Sequence, residues 1–245
     1  MTNKQPGTQG QTLLSDPIFY VMLVVFVLIS TALPALLGQA RLLPLMQAVA
    51  LTAFVAVAAR HRSVKHAIAI MTIWLAIQFV LLFVLALVAN ARVEQAIGNG
   101  FLFRAEMAEW AFANGVLPAS WLDQPINRLI ELFGITVGSA LSGGLIGIWS
   151  VVRTVNLAAF SAAGFLLTPG TLAGLLVGLA PWTVLHIAGA ITLTAVLAQM
   201  LWTNTWSPRI YLTNYRRPLT VGVLLLLAAV LVEFALSPLW RAFFN

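Results

Sequence analysis

Cysteine is missing from this 245-residue chain, and charge is scarce. Without a thiol there is no disulfide, no thiolate metal site and no cysteine nucleophile. Charged residues make up 8% of the sequence, against about a quarter in a soluble domain, so the composition cannot cover a water-facing surface. The 7 acidic residues and 3 histidines are scattered singly, which gives no spacing suited to a metal cluster; no metal is expected. Phosphate-cradling loops are also missing, with no P-loop and no G-x-G-x-x-G after a strand, so no cofactor is implied.

What the chain has is apolar sequence, 61% of it hydrophobic, arranged in blocks of membrane-spanning length. The expectation is an all-α polytopic transmembrane bundle of about seven spans embedded in the lipid bilayer. Residues 1–17 read as a polar cytoplasmic tail, and 18–89 as three spans: Ile18–Leu37, Leu43–Ala59 and Ala67–Ala89. No A-x-A-like cleavage site follows the first apolar run, so it reads as a retained helix. An extracytoplasmic segment, 90–131, precedes a four-span bundle over 132–240: Leu132–Val152, Val155–Leu179, Thr183–Trp202 and Leu219–Leu236. Pro181 marks the break before the sixth span, because proline lacks the amide a helix needs.

The basic residues orient these spans. Arg60, Arg62 and Lys65 lie in one loop and Arg209, Arg216 and Arg217 in another, four spans apart and therefore on one side. The positive-inside rule calls that side cytoplasmic, giving N-terminus in and C-terminus out. Arg153, between the fourth and fifth spans, falls on the same side, and Arg41 faces the other. The outer segment holds three arginines against five carboxylates, a net of −2. Its stretch GFLFRAEMAEWAFANG, residues 100–115, suits either an amphipathic helix lying in the interface with Trp110 and Trp121 at headgroup depth, or a loop helix packed on the bundle. Asp123, before Pro125, reads as a helix cap leading into the fourth span. The basic charges lie between apolar blocks, a pattern for lipid rather than nucleic acid.

Small residues recur every four positions at Gly134, Gly138 and Ser142, and again at Gly170, Gly174 and Gly178. Lipid tails give helices no hydrophobic reason to associate, so such rows supply close packing between spans. Three polar features lie at membrane depth. Glu233 interrupts VLLLLAAVLVEFALSPLW, and an isolated carboxylate there must face the bundle, pair or protonate. His186 lies at comparable depth just inside the sixth span, which suggests an intramembrane polar pair acting as a clamp or a relay. Arg153 and Asn156 sit at the inner end of the fifth span, away from that pair.

Two family resemblances accompany these residues. Ala140-Leu141-Ser142-Gly143 and His186-Ile187-Ala188-Gly189 look somewhat like the serine and histidine motifs of rhomboid intramembrane proteases. That would make Ser142 a nucleophile beside His186. The C-terminal half more broadly resembles the stage II sporulation protein M family of integral membrane proteins. The resemblance rests on the Gly-rich GSALSGGLIGIW, on Asn156, on PWTVLH from Pro181 to His186, and on LLLLAAVLVEFALSP with Glu233 and Pro238. In PWTVLH only Pro181 keeps the family residue; Trp182, Thr183 and His186 replace its histidine, glycine and glutamate. This resemblance implies a non-catalytic scaffold or partner subunit of a membrane complex. It also implies a prokaryotic cytoplasmic membrane and other membrane subunits or a second copy as partners. A transport component using His186 and Glu233 is the alternative, and an intramembrane serine protease the third.

Overall fold

Asp16 and Pro17 start the first helix as their chemistry dictates. The Asp16 carboxylate accepts the amide of Ile18 at 2.9 Å, and Pro17 occupies the first turn, where its missing N–H costs nothing. The computed structural model describes residues 14, 16–113, 115–167, 176, 178–207, 209 and 213–242. Among these there are helices and no strand, consistent with the polytopic transmembrane bundle. Helix α1 is Pro17–Leu36, α2 Leu42–Arg60 and α3 Val64–Val88. Two short helices, α4 (Asn90–Ala96) and α5 (Gly100–Phe112), follow. Three contiguous pieces, Pro125–Phe133, a π-helical turn Gly134–Gly138 and Ser139–Ser142, make up α6. Then come α7 (Leu145–Leu167), α8 (Pro181–Trp202) and α9 (Arg216–Arg241). Six of these, α1, α2, α3, α7, α8 and α9, are long and apolar enough to cross a membrane.

The fourth pass differs from the expected one. Leu132–Val152 is not a single span, because Gly143 and Gly144 take φ of +63° and +98° and reverse the chain. Such angles suit glycine, and a Cβ at Gly143 would also press on the Trp202 indole. Ser142 seals the turn: its hydroxyl donates to the Gly138 carbonyl at 2.6 Å and accepts the Ile146 amide at 3.0 Å. In place of the expected fourth and fifth spans stand α6, which begins at Pro125 and is not among those six, and α7, which begins at Leu145 rather than Val155. Expected bounds at 131 and 132 move accordingly. Asp123 does not cap α6; its carboxylate accepts the Ala119 amide at 3.0 Å within the preceding turn. With pieces of nine, five and four residues, α6 is about 27 Å long, close to the hydrocarbon thickness.

The reversal lays α6 antiparallel to α7. Gly134 and Gly138 face Ile146, as a small-residue row should, whereas Ser142 belongs to the turn. Gly178 is buried where any Cβ would collide with the Ala158 carbonyl; Gly170 and Gly174 lie outside the described residues. The tightest seam joins α8 to α9. There a Cβ on Gly189 would meet Leu226 and the Gly222 carbonyl at 2.9–3.0 Å. The largest of the apolar clusters among the described residues, including Leu23, Val55, Trp74, Ile148, Val152 and Leu193, ties α1, α2, α3, α7 and α8 together. Exposed Val80, Val84, Leu224, Leu227 and Leu231 form outward faces for lipid.

The two ends of the bundle differ. At one, the Gly143 carbonyl accepts the Trp202 indole N–H at 2.9 Å, and the Arg60 guanidinium stands 4.9 Å from that ring's centre. At the other, the segment after α3 folds back onto the helices, so that α5 packs on the bundle. Met107, Trp110 and Ala111 of α5 are buried, and Trp110 meets Trp182 edge-to-face at 6.4 Å. Arg104 pins the same helix, its guanidinium 3.9 Å from the Phe160 ring centre and 2.9 Å from the Asn90 carboxamide oxygen.

Candidate functional site

Pro181 opens α8 at its first turn, and one and a half turns later the helix delivers His186 to the Trp182 end of the bundle. There it meets Glu131 rather than Glu233. His186 Nε2 lies 3.2 Å from Glu131 Oε1, while Arg128 Nη1 donates to Glu131 Oε2 at 2.6 Å. Arg128 and Glu131 stand three residues apart on α6, the spacing that stacks side chains on one helix face. Thr154 of α7 completes the cluster, its hydroxyl 3.3 Å from Glu131 Oε1 and 3.1 Å from the Ser150 carbonyl. Three helices thus converge on one carboxylate.

Glu233 comes close without joining them. It is 7% exposed, and its Oε1 accepts the Trp121 backbone amide at 2.8 Å. Both residues of the expected pair line one small cleft, together with Trp121, Arg128, Thr154 and Trp182, yet each bonds elsewhere. α8 and α9 are held together by the Gly189–Gly222 seam instead. The sequence reading missed Glu131, Arg128 and Thr154. The i, i+3 pair just after Pro125 was the available signal, hidden because 131 was counted as the end of the outer segment.

Arg153 and Asn156 also move. They are the ninth and twelfth residues of the 23-residue α7, so neither lies at its inner end. Asn156 is 3% exposed and organises a carboxamide network across three helices. Its Nδ2 donates to Gln47 Oε1 at 2.8 Å, and its Oδ1 accepts from Gln78 at 2.8 Å and from Gln47 at 3.3 Å. Gln47 also donates to Thr31, and Gln78 accepts from the Trp74 indole, so the buried amide groups are answered. The network has the character of a structural clamp. Arg153, by contrast, is exposed about 13 Å along α7 from the hairpin turn. An ionisable side chain within a spanning helix is costly unless it faces water, a cavity or a partner.

These polar groups border a cavity of about 690 Å³. Its walls come from α5, the turn before α6, α6 itself, α7 and the start of α8, with Glu233 of α9 on the edge. Arg128, Glu131, Arg153, Thr154 and Ser161 line it. Ser161 is 1% exposed, and neither its hydroxyl nor Arg128 Nε has a hydrogen-bond partner among the described residues. Buried polar atoms without partners are uncommon in folded proteins and need a reason.

The geometry separates Ser142 from His186. Ser142 lies beside the turn that meets Trp202, and Trp202 is sixteen residues beyond His186, roughly 24 Å along α8. A nucleophile and its base need hydrogen-bond contact, so these two do not form a catalytic dyad. Among the described residues no group of three histidines or carboxylates could hold a metal ion. No family model, no curated protein and no solved structure matches the chain, so the site stands on its own residues.

Proposed function

We propose that the chain is a ligand-binding component of a membrane transport system, with the cavity between α6 and α7 as its site. The observation that carries this reading is the convergence of charged side chains from separate passes onto one cavity of about 690 Å³ within a transmembrane bundle. Ionisable groups at membrane depth mark substrate or ion paths far more often than they serve packing. Pockets between helices of a bundle are a common place for ligands, and 300–1,000 Å³ is their usual range. Gln124 and Asn127 line the end toward the outer segment, whereas Gly138 and Ile146 line the other, where their close approach narrows the cavity. The wider end, which this reading takes as the mouth, lies toward the side that the basic loops assign as extracytoplasmic.

Scaffolding, as the resemblance to the stage II sporulation protein M family implies, is the second reading. The exposed apolar residues Phe101, Leu102 and Leu122 on the outer segment favour it, since they offer a surface to another membrane subunit.

Thiol labelling separates the two. The cysteine-free chain allows Ser150→Cys, at the deep end of the cavity, and Val84→Cys, on the lipid-facing side of α3. A charged, membrane-impermeant thiol reagent applied from outside should modify S150C in intact cells and leave V84C untouched. If S150C stays unmodified, the cavity is sealed and scaffolding becomes the better account.

A further inference from the structure

Among the described residues, the cavity has one cation without a partner. Arg153 lines it and is exposed, and among the described residues its guanidinium has no ion pair and no hydrogen bond. The other charged groups around it are engaged. Arg128 is committed to Glu131 through Nη1, Glu131 also meets His186 and Thr154, and Glu233 holds the Trp121 amide. The spare capacity is on the donor side: the Arg153 guanidinium, Arg128 Nε and the Ser161 hydroxyl. A ligand suited to this wall brings acceptors, and charge-assisted bonds from arginine favour an oxyanion above any neutral group.

The walls between those donors are apolar. Phe133, Trp149 and Leu157 alternate with the polar residues along the facing surfaces of α6 and α7. From Ile146 to Ser161 the α7 wall is fifteen residues long, roughly 22 Å, the scale of a chain lying along the bilayer normal rather than of a compact ion. We propose that the cavity binds an anionic amphiphile, its phosphate or carboxylate held by Arg153 with Arg128 Nε, its apolar part lying on Phe133, Trp149 and Leu157. The assignment rests on the cavity being a ligand site and adds the chemical class of the ligand.

Native mass spectrometry of the purified full chain in mild detergent tests it, with dioleoylphosphatidylglycerol, dioleoylphosphatidylcholine and sodium phosphate as probes. The wild type should retain the anionic lipid about tenfold more tightly than the zwitterionic one, a difference of about 1.4 kcal/mol. Arg153→Gln should erase that preference, Arg153→Lys should keep most of it, and Arg60→Gln, at the opposite end of the bundle, should leave it unchanged. Equal retention of the two lipids by the wild type, or a preference that survives in R153Q, overturns the assignment. Displacement of the lipid by millimolar sodium phosphate, with phosphate protecting the wild type but not R153Q against thermal unfolding, overturns the amphiphile in favour of a water-soluble oxyanion. Labelling of S150C combined with no anion preference removes only the ligand class; failure of the labelling in delipidated, purified protein as well as in cells removes the site itself.

Discussion

At the scale of single residues, the protein treats its membrane-depth polar groups in two opposite ways. Asn156, Gln47 and Gln78 satisfy one another in the core, so that each amide finds a partner away from water. Arg153 is left open beside a cavity. Substitution should separate the two kinds. Asn156→Ala strips partners from Gln47 and Gln78 and leaves buried amides unsatisfied, at a cost of about 1–3 kcal/mol. Its midpoint of thermal unfolding in detergent should fall clearly below the wild type's, while R153Q, which removes no bond among the described residues, should unfold near the wild-type temperature. A fall in R153Q as large as that in N156A would show that the arginine serves packing. Glu131 stands between these classes, since it orders three helices and walls the cavity at once.

At the scale of elements, the hairpin α6–α7 is the decisive feature. A continuous helix over Leu132–Val152 would hold Gly134 and Ser150 about 24 Å apart. In the folded hairpin, a Cβ on Gly134 would stand 3.7 Å from Ser150 Oγ. The double variant Gly134→Cys/Ser150→Cys should therefore oxidise readily within one chain, detected as the loss of two hydrogens in the intact mass, because the geometry meets the reach of a disulfide. Persistent free thiols would restore the continuous span. The glycine pair 143–144 is visible in the sequence, but it directly follows the row Gly134, Gly138 and Ser142 inside one apolar run and gives no sign of a turn. A glycine row and a glycine turn use the same letters, and only the backbone angles tell them apart. That one reassignment moves Arg153 from a loop to mid-helix and brings Glu131 to His186. The outer segment was half legible: its aromatic and charged mixture announced a helix, but the Arg104 guanidinium over Phe160 and the edge-to-face contact of Trp110 with Trp182 depend on residues far apart in the chain.

At the scale of the whole molecule, the passes sort the charges. Arg60, Arg62, Lys65, Arg216 and Arg217 flank the Trp202 end, and removing Arg153 from the loop count leaves that assignment unchanged. Engineered cysteines check the orientation. His61→Cys should react with an impermeant thiol reagent only after the membrane is opened, whereas Leu122→Cys should react in intact cells. The reverse pattern would invert the bundle and turn the cavity toward the cytoplasm.

Composition and hydropathy alone determine that this is an all-α membrane protein, because long apolar blocks in a chain with 8% charge have no other stable solvent. They also locate five of the six membrane-length helices, α1, α2, α3, α8 and α9, and the proline start of α8. What only the tertiary structure decides is which polar groups meet. His186 bonds to Glu131 across 55 residues of sequence, and Glu233 to Trp121 across 112. Sequence spacing reports neighbours along one helix, whereas a site between helices depends on register, and here register is fixed by the Gly143–Gly144 turn and the Gly189–Gly222 seam. Depth along a helix was readable from the apolar run for His186 and Glu233, but not for Arg153 and Asn156, whose run the Gly143–Gly144 turn redraws; direction across the bundle required the packed helices.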